Sequence, residues 1–289
     1  MRWESGRELK EFSTFGIGGP IRYFAEIRTA EEMREAFCFC CEEKIPFLVL
    51  GKGSNSLFDD AGFYGAVLLN RIDFCHWEEE RVQVGSGFSF SRLGVQAAQR
   101  NLSGLEFAAG IPATVGGAIW MNAGAEGQQT GDALASVSFL DFQGTVRDWK
   151  REEMRFSYRT SLFQSLQGAI LSATFCLSSS PTAKAHQLQL LDARKKKQPL
   201  QEKSCGCIFR NPPSGPSAGA LIEKAGLKGL GIGGAFVSEL HANFIVNRSG
   251  ATSRDVQELI EKIRHTVYEK SGIFLELEIR IMRPHGLSR

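Results

Sequence analysis

The spacing of apolar and polar residues along this 289-residue chain predicts a mixture of strands and helices. Apolar or alternating runs predict strands at 21–27, 47–50, 66–69, 81–84, 136–141, 145–150, 168–177, from 204, at 241–247 and at 275–281. Apolar residues at helical spacing predict helices from 29 to before Pro46, at 89–101, at 181–197, at 217–224 and from 252 to the stop at Gly272.

Short sequence patterns specify the ends or the buried faces of three of these elements. Thr29 with Glu32, and Thr252 with Asp255, have the spacing of helix caps. Cys40 and Cys41 fall on the apolar face of the first helix and are predicted to pack. In the last strand the apolar residues alternate with Glu276, Glu278 and Arg280, and the pattern alone favours an exposed polar face.

Residues 107–127, called here the glycine wall, least resemble ordinary scaffold. Glycine, alanine and proline dominate the segment, and Glu126 is its one charged residue. No apolar stripe at helical spacing is evident, and Pro112 and the paired glycines interrupt a strand. We therefore predict a main-chain surface, with N–H groups turned outward, that lies against a large flat ligand carrying phosphates. The alternative is a tight turn packed inside a sheet domain.

A second glycine-rich segment, the glycine loop (residues 51–56, GKGSNS), follows the strand at 47–50. A strand followed by glycines and small polar residues is typical of a phosphate-binding loop. The spacing fits neither a Walker A loop nor a Gly-x-Gly-x-x-Gly fingerprint. From this pattern alone, a plain surface turn is an equal alternative.

Composition narrows the class of protein. The net charge is +2, so no strong field recruits nucleic acid or a membrane surface. No apolar run approaches the roughly 20 residues of a membrane span, and the first residues do not resemble a signal peptide, so a cytoplasmic location without membrane insertion is expected. The seven cysteines lack zinc-site spacing, so no metal is expected. The order of elements indicates an α+β protein rather than a Rossmann sheet.

Several motifs then coincide in order: the glycine loop, AGIPATVGGA from 109, NAGA from 122, YRTS from 158, GCIFRNP from 206, HANFIVN from 241 and LELEIR from 275. Together they closely resemble the UDP-N-acetylenolpyruvoylglucosamine reductase (MurB) family, in its compact type II branch. The resemblance implies a three-domain FAD-binding fold like that of vanillyl-alcohol oxidase (PCMH-like), with a C-terminal α+β substrate domain. The implied boundaries are 1–50 with 279–289 and 51–181 for two FAD-binding subdomains, and 182–278 for a connector helix and the substrate domain.

The same resemblance implies the reaction. NADPH reduces bound FAD, and the enolpyruvyl ether of UDP-N-acetylglucosamine is then reduced to UDP-N-acetylmuramate for peptidoglycan. The substrates are small molecules, and no protein partner can be inferred. The residues implied to bind FAD are Gly51, Gly53, Ser54, Asn55, Ser56, Gly110, Ile111, Pro112, Thr114, Gly116 and Gly117.

Three residues match catalytic positions of the family. Arg159 suits a substrate carboxylate, and Glu278 is implied to lie near the same oxygens, where it helps if protonated or paired with a cation. The proton donor is usually a serine, and this chain has Cys207 there. A thiol with a reference pKa of roughly 8.5 stays mostly protonated at neutral pH and can donate. Ser204 as donor, and an inert Cys207, remain alternatives.

The resemblance also implies a set of substrate-binding residues: Tyr158, Arg194, Lys197, Asn211, His241 and Asn243. Two interpretations without substrate binding stay open. The basic run 194–197 fits a solvated helix end, and His241 could be structural. Two competing functions also remain, an oxidase of the same flavin fold and a non-catalytic nucleotide-binding module.

Overall fold

The computed structural model describes residues 1–287, so the end of the predicted segment 279–289 lies outside the described residues. The chain divides into two compact units. Unit 1 comprises Met1–Trp3, Phe24–Lys52 and Ala66–Arg194, and unit 2 comprises Glu4–Tyr23, Gly53–Gly65 and Lys195–Arg289. No helix in the described range is long and apolar enough to cross a membrane.

The helices begin and end close to the positions that the sequence predicts. They are α1 (Ala30–Glu42), α2 (Phe90–Gln99), α3 (Val115–Trp120), α4 (Ala183–Lys197), α5 (Ala218–Lys224) and α6 (Ser253–Ser271). Thr252 and Asp255 form the predicted capping box, and Gly272 ends α6 in a left-handed conformation. Thr29 caps α1, but Glu32 accepts a hydrogen bond from Arg28 instead of completing the box.

The strands are mostly short, and many contain only two to five residues. They are β1 (Ile21–Ile27), β2 (Phe47–Leu50), β3 (Ser56–Phe58), β4 (Phe63–Asn70), β5 (Cys75–Glu78), β6 (Arg81–Gly85), β7 (Leu102–Ser103), β8 (Gly124–Ala125), β9 (Gln128–Gln129), β10 (Leu134–Asp141), β11 (Val146–Lys150), β12 (Phe156–Ser157), β13 (Thr160–Ser161), β14 (Gly168–Cys176), β15 (Ser178–Ser179), β16 (Ser204–Cys207), β17 (Gly231–Ile232), β18 (Ala235–Val237), β19 (Phe244–Asn247), β20 (Arg280–Arg283) and β21 (Gly286–Leu287).

Unit 1 is built on an antiparallel five-stranded sheet in the order β11-β10-β14-β6-β5. Alternating residues of β6, β10 and β14 bury one apolar face, which packs with α2 and α3. In the same unit β2 pairs with β4 in parallel, so the glycine loop leaves the carboxyl end of a buried parallel pair. The strands predicted at 136–141 and 145–150 are confirmed and pair as an antiparallel hairpin, with Val137 opposite Trp149.

Unit 2 has its own core between the sheet β16-β19-β18-β17 and helices α5 and α6. The apolar face of the last predicted helix is buried there and consists of Val256, Leu259, Ile260, Ile263 and Val267. A second sheet, β21-β20-β3, pairs β20 in parallel with β3, so β20 lies directly beside Ser56, the last residue of the glycine loop.

Three predictions about elements are wrong. The strand at 275–281 is regular only over Arg280–Arg283, because the residues before it pair with a different segment, through a bridge from Leu277 to Phe209. The strand at 241–247 begins only at Phe244, after a turn. Cys40 is buried as predicted, but Cys41 is exposed and does not pack.

Candidate active site

The glycine wall in unit 1 contains a helix that the sequence argument excluded. Thr114 caps α3, and Val115, Ala118 and Ile119 form its buried face. Six residues make fewer than two turns, so this face is too short to give a visible stripe in the sequence. The wall is therefore a capped helical turn flanked by irregular chain, not an uninterrupted run of extended backbone.

The predicted outward N–H groups of the wall are also absent at three glycines. The amide of Gly110 donates to Ser91 Oγ (2.8 Å), that of Gly116 to the Ser86 carbonyl (2.8 Å) and that of Gly117 to Thr114 Oγ1 (3.2 Å). Buried backbone donors are almost always satisfied, and here the protein itself satisfies them. At these positions the wall offers a ligand contact area rather than hydrogen bonds.

Small residues leave the solvent side of the wall smooth. Gly110, Ile111 and Gly116 are half-buried, and Pro112 and Gly117 are exposed. Gly51 lies against the same capped turn, because a Cβ added at Gly51 would come within 2.5 Å of Thr114 Oγ1. Unit 1 thus brings the first residue of the glycine loop to the wall, as a surface suited to a flat ring system.

In the part of the glycine loop that belongs to unit 2, two amides have no described acceptor. Gly53 has a φ of +59°, and an added Cβ would lie 2.4 Å from the Phe12 carbonyl oxygen. Within unit 2, the amides of Gly53 and Ser54 donate no hydrogen bond to another described residue. A left-handed glycine beside unpaired amides is typical of an anion-binding concavity. The amides that could donate to an anion are therefore in the loop and not at these three wall glycines.

Asn55 joins the glycine loop to the predicted catalytic glutamate, and both lie in unit 2. Its side-chain amide donates to the Glu278 carbonyl (3.2 Å), and its own carbonyl accepts from the Arg280 amide (2.9 Å). Ser56 is opposite Arg280 in the parallel pair of β3 and β20. The loop and the catalytic strand segment therefore form one hydrogen-bonded structure.

Cys207 lies on the other side of the same segment. It ends β16, and the residue after it, Ile208, accepts a hydrogen bond from the Glu278 amide (2.8 Å). Gly206 has a φ of +81°, and a Cβ added there would lie 3.9 Å from the carbonyl oxygen of Ser54. Cys207 is half-buried, whereas Cys205 is 1% exposed and burial raises the pKa of its thiol. Unit 2 thus brings Cys207, Glu278 and Asn55 together.

A β-bulge in β16 affects the choice between Ser204 and Cys207. Ser204 is opposite Val246 and Cys207 is opposite Phe244, so four residues of β16 lie opposite three of β19. The extra residue places Ser204 and Cys207 on the same face of the sheet. Both main-chain groups of Ser204 bond to Thr14, one of them through the threonine hydroxyl.

Arg159 lies in unit 1, at the tip of the Arg159 hairpin (residues 156–161). Tyr158 and Arg159 are the two residues that connect β12 and β13, and Arg159 has a φ of +56°, which is uncommon for a residue other than glycine. Its Nη1 donates to the Gly124 carbonyl of the glycine wall (3.1 Å). Tyr158 is 49% exposed, and its ring centre is 5.2 Å from the Arg159 guanidinium carbon.

The predicted substrate residues of unit 2 differ in accessibility. Asn243 is 3% exposed and clamps Phe209, donating to its carbonyl (2.8 Å) and accepting from its amide (3.0 Å). His241 is half-buried, accepts the Asn243 amide at Nδ1 (3.3 Å), and burial lowers its pKa. Asn211 is exposed and accepts the first amide of α5, from Ala218. The structural interpretation of His241 is thereby strengthened, because its Nδ1 is already used.

Arg194 and Lys197 are three residues apart on α4. Arg194 donates to the Phe107 carbonyl (3.1 Å), and its side chain lies against Gly110, so it belongs to the surroundings of the glycine wall within unit 1. Lys197 is exposed. The interpretation of Arg194 as a merely solvated helix end is therefore wrong, whereas Lys197 fits it.

Glu106, the residue before the glycine wall, is a buried acid that the sequence motifs did not indicate. Glu106 is 2% exposed; it accepts hydrogen bonds from Ser103 Oγ (2.6 Å) and the Gly104 amide (2.7 Å), and His186 Nδ1 is 3.7 Å away. Burial opposes its ionisation, but these hydrogen bonds outweigh burial and the net effect lowers its pKa. The Ser-x-x-Glu spacing at 103–106 is the one sequence signal that points to it.

We expect Glu106→Gln to destabilise unit 1 by about 1–3 kcal/mol at neutral pH, because an amide nitrogen would replace one of the two accepting carboxylate oxygens and would face a donor, either Ser103 Oγ or the Gly104 amide. The folded-state pKa is lowered, so the stability from Glu106 is fully present above the ordinary carboxyl pKa and disappears as pH falls through the lowered value. Urea unfolding of wild type and variant from neutral to acidic pH measures this difference. Glu152→Gln, at an exposed carboxylate, is the control; equal stability of the two variants would contradict the prediction.

Comparison with known proteins agrees with these features. A family model described as UDP-N-acetylenolpyruvoylglucosamine reductase, C-terminal domain, matches residues 198–282, and one described as FAD binding domain matches residues 21–150. The UDP-N-acetylenolpyruvoylglucosamine reductase of Protochlamydia amoebophila is 56% identical over 94% of this chain and 91% of that protein. The reductase of Chlamydia muridarum is 49% identical over 95% of this chain and 92% of that protein.

A solved structure extends the match to the fold. The crystal structure of the UDP-N-acetylenolpyruvylglucosamine reductase of Thermus caldophilus superposes with a TM-score of 0.84 and 38% identity, and covers 97% of this chain and 99% of that chain. The predicted α+β FAD-binding fold and the predicted family resemblance are both confirmed. The chain belongs to the UDP-N-acetylenolpyruvoylglucosamine reductase family.

Proposed function

We propose that this protein is an FAD-containing, NADPH-dependent oxidoreductase that reduces UDP-N-acetylglucosamine enolpyruvate to UDP-N-acetylmuramate in peptidoglycan precursor synthesis. Membership of the family supports the reaction. The observation that carries the proposal for this chain is the joining of Cys207, Glu278 and the glycine loop through Asn55 in unit 2. The thiol and the carboxyl group suit the proton transfer to the enolpyruvyl substrate, and the loop suits the phosphates of the cofactor.

The residues present fit FAD. In unit 2, the Gly53 and Ser54 amides suit the phosphates; in unit 1, the small residues Gly110, Gly116 and Gly117 suit the ring system. When bound, FAD supplies the hydride that NADPH has delivered to it. We assign the remaining predicted cofactor residues to the same two surfaces: Gly51, Ile111, Pro112 and Thr114 on the wall, and Asn55 and Ser56 on the loop.

The protein side chains then stabilise the negative charge at the substrate carboxylate and supply a proton to the carbon beside it. Hydride addition at the methylene carbon of the enolpyruvyl ether moves the double-bond electrons toward the carboxylate. Arg159 binds that carboxylate through its planar guanidinium and stabilises the added charge. Cys207 gives its thiol proton to the carbon beside the carboxylate, and the thiolate left behind takes a proton from solvent. Glu278, held by its main chain next to Cys207, assists as the neutral acid or paired with a cation.

The proposed substrate residues take three roles. Tyr158, Arg194 and Lys197 present exposed or half-buried polar groups that suit the nucleotide diphosphate and the sugar. Asn211 and His241 are accessible enough to touch the substrate. Asn243 is buried and positions the strand after Cys207 through its clamp on Phe209.

We also propose a division of the chain into functional domains and a cellular compartment for the enzyme. The three-domain division predicted from the sequence, 1–50 with 279–289, 51–181 and 182–278, remains our proposal for the functional domains. NADPH and nucleotide sugars are cytoplasmic metabolites, so we propose that the enzyme acts in the cytoplasm on these two small molecules.

A visible spectrum tests the function directly. The purified protein is expected to show flavin absorbance that NADPH bleaches without oxygen and that UDP-N-acetylglucosamine enolpyruvate restores, with UDP-N-acetylmuramate formed in equal amount. Rapid restoration by oxygen without the sugar nucleotide would indicate an oxidase. Binding of the sugar nucleotide without any bleaching would indicate a non-catalytic module.

A further inference from the structure

We propose that Gln164 is a positioning residue for the reductase reaction, holding the Arg159 hairpin to the end of the glycine-wall helix α3. The proposal rests on the proposed role of Arg159 at the substrate carboxylate. Gln164 does not itself reach the reacting atoms in this scheme. It acts through the main chain of Arg159.

The side-chain amide of Gln164 makes two hydrogen bonds that join these elements. Its Nε2 donates to the Trp120 carbonyl at 2.8 Å and to the Arg159 carbonyl at 3.1 Å. A primary amide carries two hydrogens, so both bonds can exist together. Trp120 is the last residue of α3, where helix carbonyls have no partner within the helix. One side chain thus closes a helix end and fixes the residue that bears the guanidinium.

Other hydrogen bonds define the same attachment. Ser161 Oγ also donates to the Trp120 carbonyl (2.8 Å), and Asn122 Nδ2 donates to the Ser157 carbonyl (2.9 Å) on the opposite strand of the hairpin. The Arg159 guanidinium reaches the Gly124 carbonyl at 3.1 Å. The hairpin is therefore fastened at its base and at its tip to a wall that we assign to the flavin.

A pocket borders the hairpin and the residues that follow it. Its volume is about 410 Å³, and its lining residues are Arg155, Phe156, Ser157, Thr160, Ser161, Leu162, Gln164 and Ser165. Arg159 occupies the left-handed region at a φ of +56°, a conformation that non-glycine residues leave unless their surroundings hold them. Without the Gln164 bond, this strained backbone loses one of the contacts that hold it, and we expect the guanidinium to move with the main chain.

The consequence for catalysis is specific to one half-reaction. Arg159 meets the enolpyruvyl carboxylate, so misplacing it slows reoxidation by that substrate and leaves reduction by NADPH unchanged. A displacement of about 1 Å in a catalytic group can cost on the order of 100-fold in rate. We expect Gln164→Met, which keeps the side-chain length but has no donor, to slow reoxidation by about 10- to 100-fold.

The experiment combines rapid kinetics of the holoenzyme with a double-mutant cycle. Gln164→Met is compared with Ser165→Ala, which lines the same pocket but bonds to Leu162 instead. Adding Gln164→Met to Arg159→Ala is expected to cause no further slowing, because the pathway from Gln164 runs through Arg159. Further slowing of the same size in that background would show a merely structural role and overturn the proposal.

Two further measurements keep the test decisive. Gln164→Lys retains a donor, and the pocket leaves room for the longer side chain, so its rate is expected to stay within about 5-fold of wild type; a loss equal to that of Gln164→Met would overturn the proposal. In the FAD-free protein, amide exchange at 157–161 is expected to quicken in Gln164→Met but not in Ser165→Ala, and equal exchange would count against the proposal.

Different results would contradict the role of Arg159 and the role of Gln164. If Arg159→Ala leaves reoxidation at the wild-type rate, the proposed role of Arg159 fails and the role of Gln164 falls with it. If Arg159→Ala slows reoxidation but Gln164→Met does not, only the role of Gln164 is wrong.

Discussion

Replacing Cys207 with alanine is expected to slow reoxidation by the enolpyruvyl substrate by about 10²–10⁴-fold, the usual contribution of a general acid. Reduction by NADPH is expected to be unchanged, because it needs no proton from this thiol. The reason is structural as well as chemical. Cys207 is half-buried beside the Glu278 segment, and the thiol of Cys205 on the same strand is buried and so is not a substitute. Stopped-flow absorbance of the two half-reactions measures both rates.

Two controls separate the proton donor from its surroundings. Cys207→Ser restores a hydroxyl at the position where the family usually has serine, and we expect it to keep substantial activity. Ser204→Ala tests the alternative donor on the same face of the sheet and is expected to react normally. If Cys207→Ala leaves the reoxidation rate unchanged and Ser204→Ala lowers it, Ser204 and not Cys207 is the proton donor.

Sequence reasoning succeeded where the cause of a structure is local. The caps at Thr29 and Thr252 and the left-handed Gly272 depend on residues within one turn of each helix end. The family resemblance succeeded for a related reason. Its motifs lie at the loops and strand ends where a ligand constrains several neighbouring residues at once, and short segments can carry that information.

Prediction from the sequence failed where the hydrogen-bond partner of an amide or a side chain is distant in the chain. The amide of Gly116 is used by Ser86, and that of Gly110 by Ser91, so the outward N–H groups expected of the wall are occupied. Nothing near a glycine in sequence reveals such a partner. Asn243 gave the same difficulty, because its clamp on Phe209 joins residues 34 positions apart. Gln164, a lone amide in a polar loop, gave no signal at all.

Gly53→Ala is expected to lower the affinity for FAD by at least about 10-fold, as a left-handed non-glycine residue alone costs roughly 1–2 kcal/mol. The added Cβ would also lie 2.4 Å from the Phe12 carbonyl oxygen and 3.1 Å from Ser13 Cα, which are main-chain atoms that cannot rotate away. The loop would have to move, and its unpaired amides would move with it. Titration of the FAD-free protein with FAD measures the affinity, and urea unfolding measures the accompanying loss of stability.

Gly250→Ala is the matched control for the backbone conformation. Gly250 has a φ of +72° in the same unit, and an added Cβ there meets nothing within 4 Å. Both variants therefore carry left-handed strain, but only Gly53→Ala carries a clash with the backbone at the base of the glycine loop. Equal FAD affinity in the two variants would mean that the phosphates are held elsewhere, and would remove the glycine loop from the cofactor site. A loss confined to Gly53→Ala would show that the close approach of Gly53 to Phe12 is what gives the loop its phosphate-binding shape.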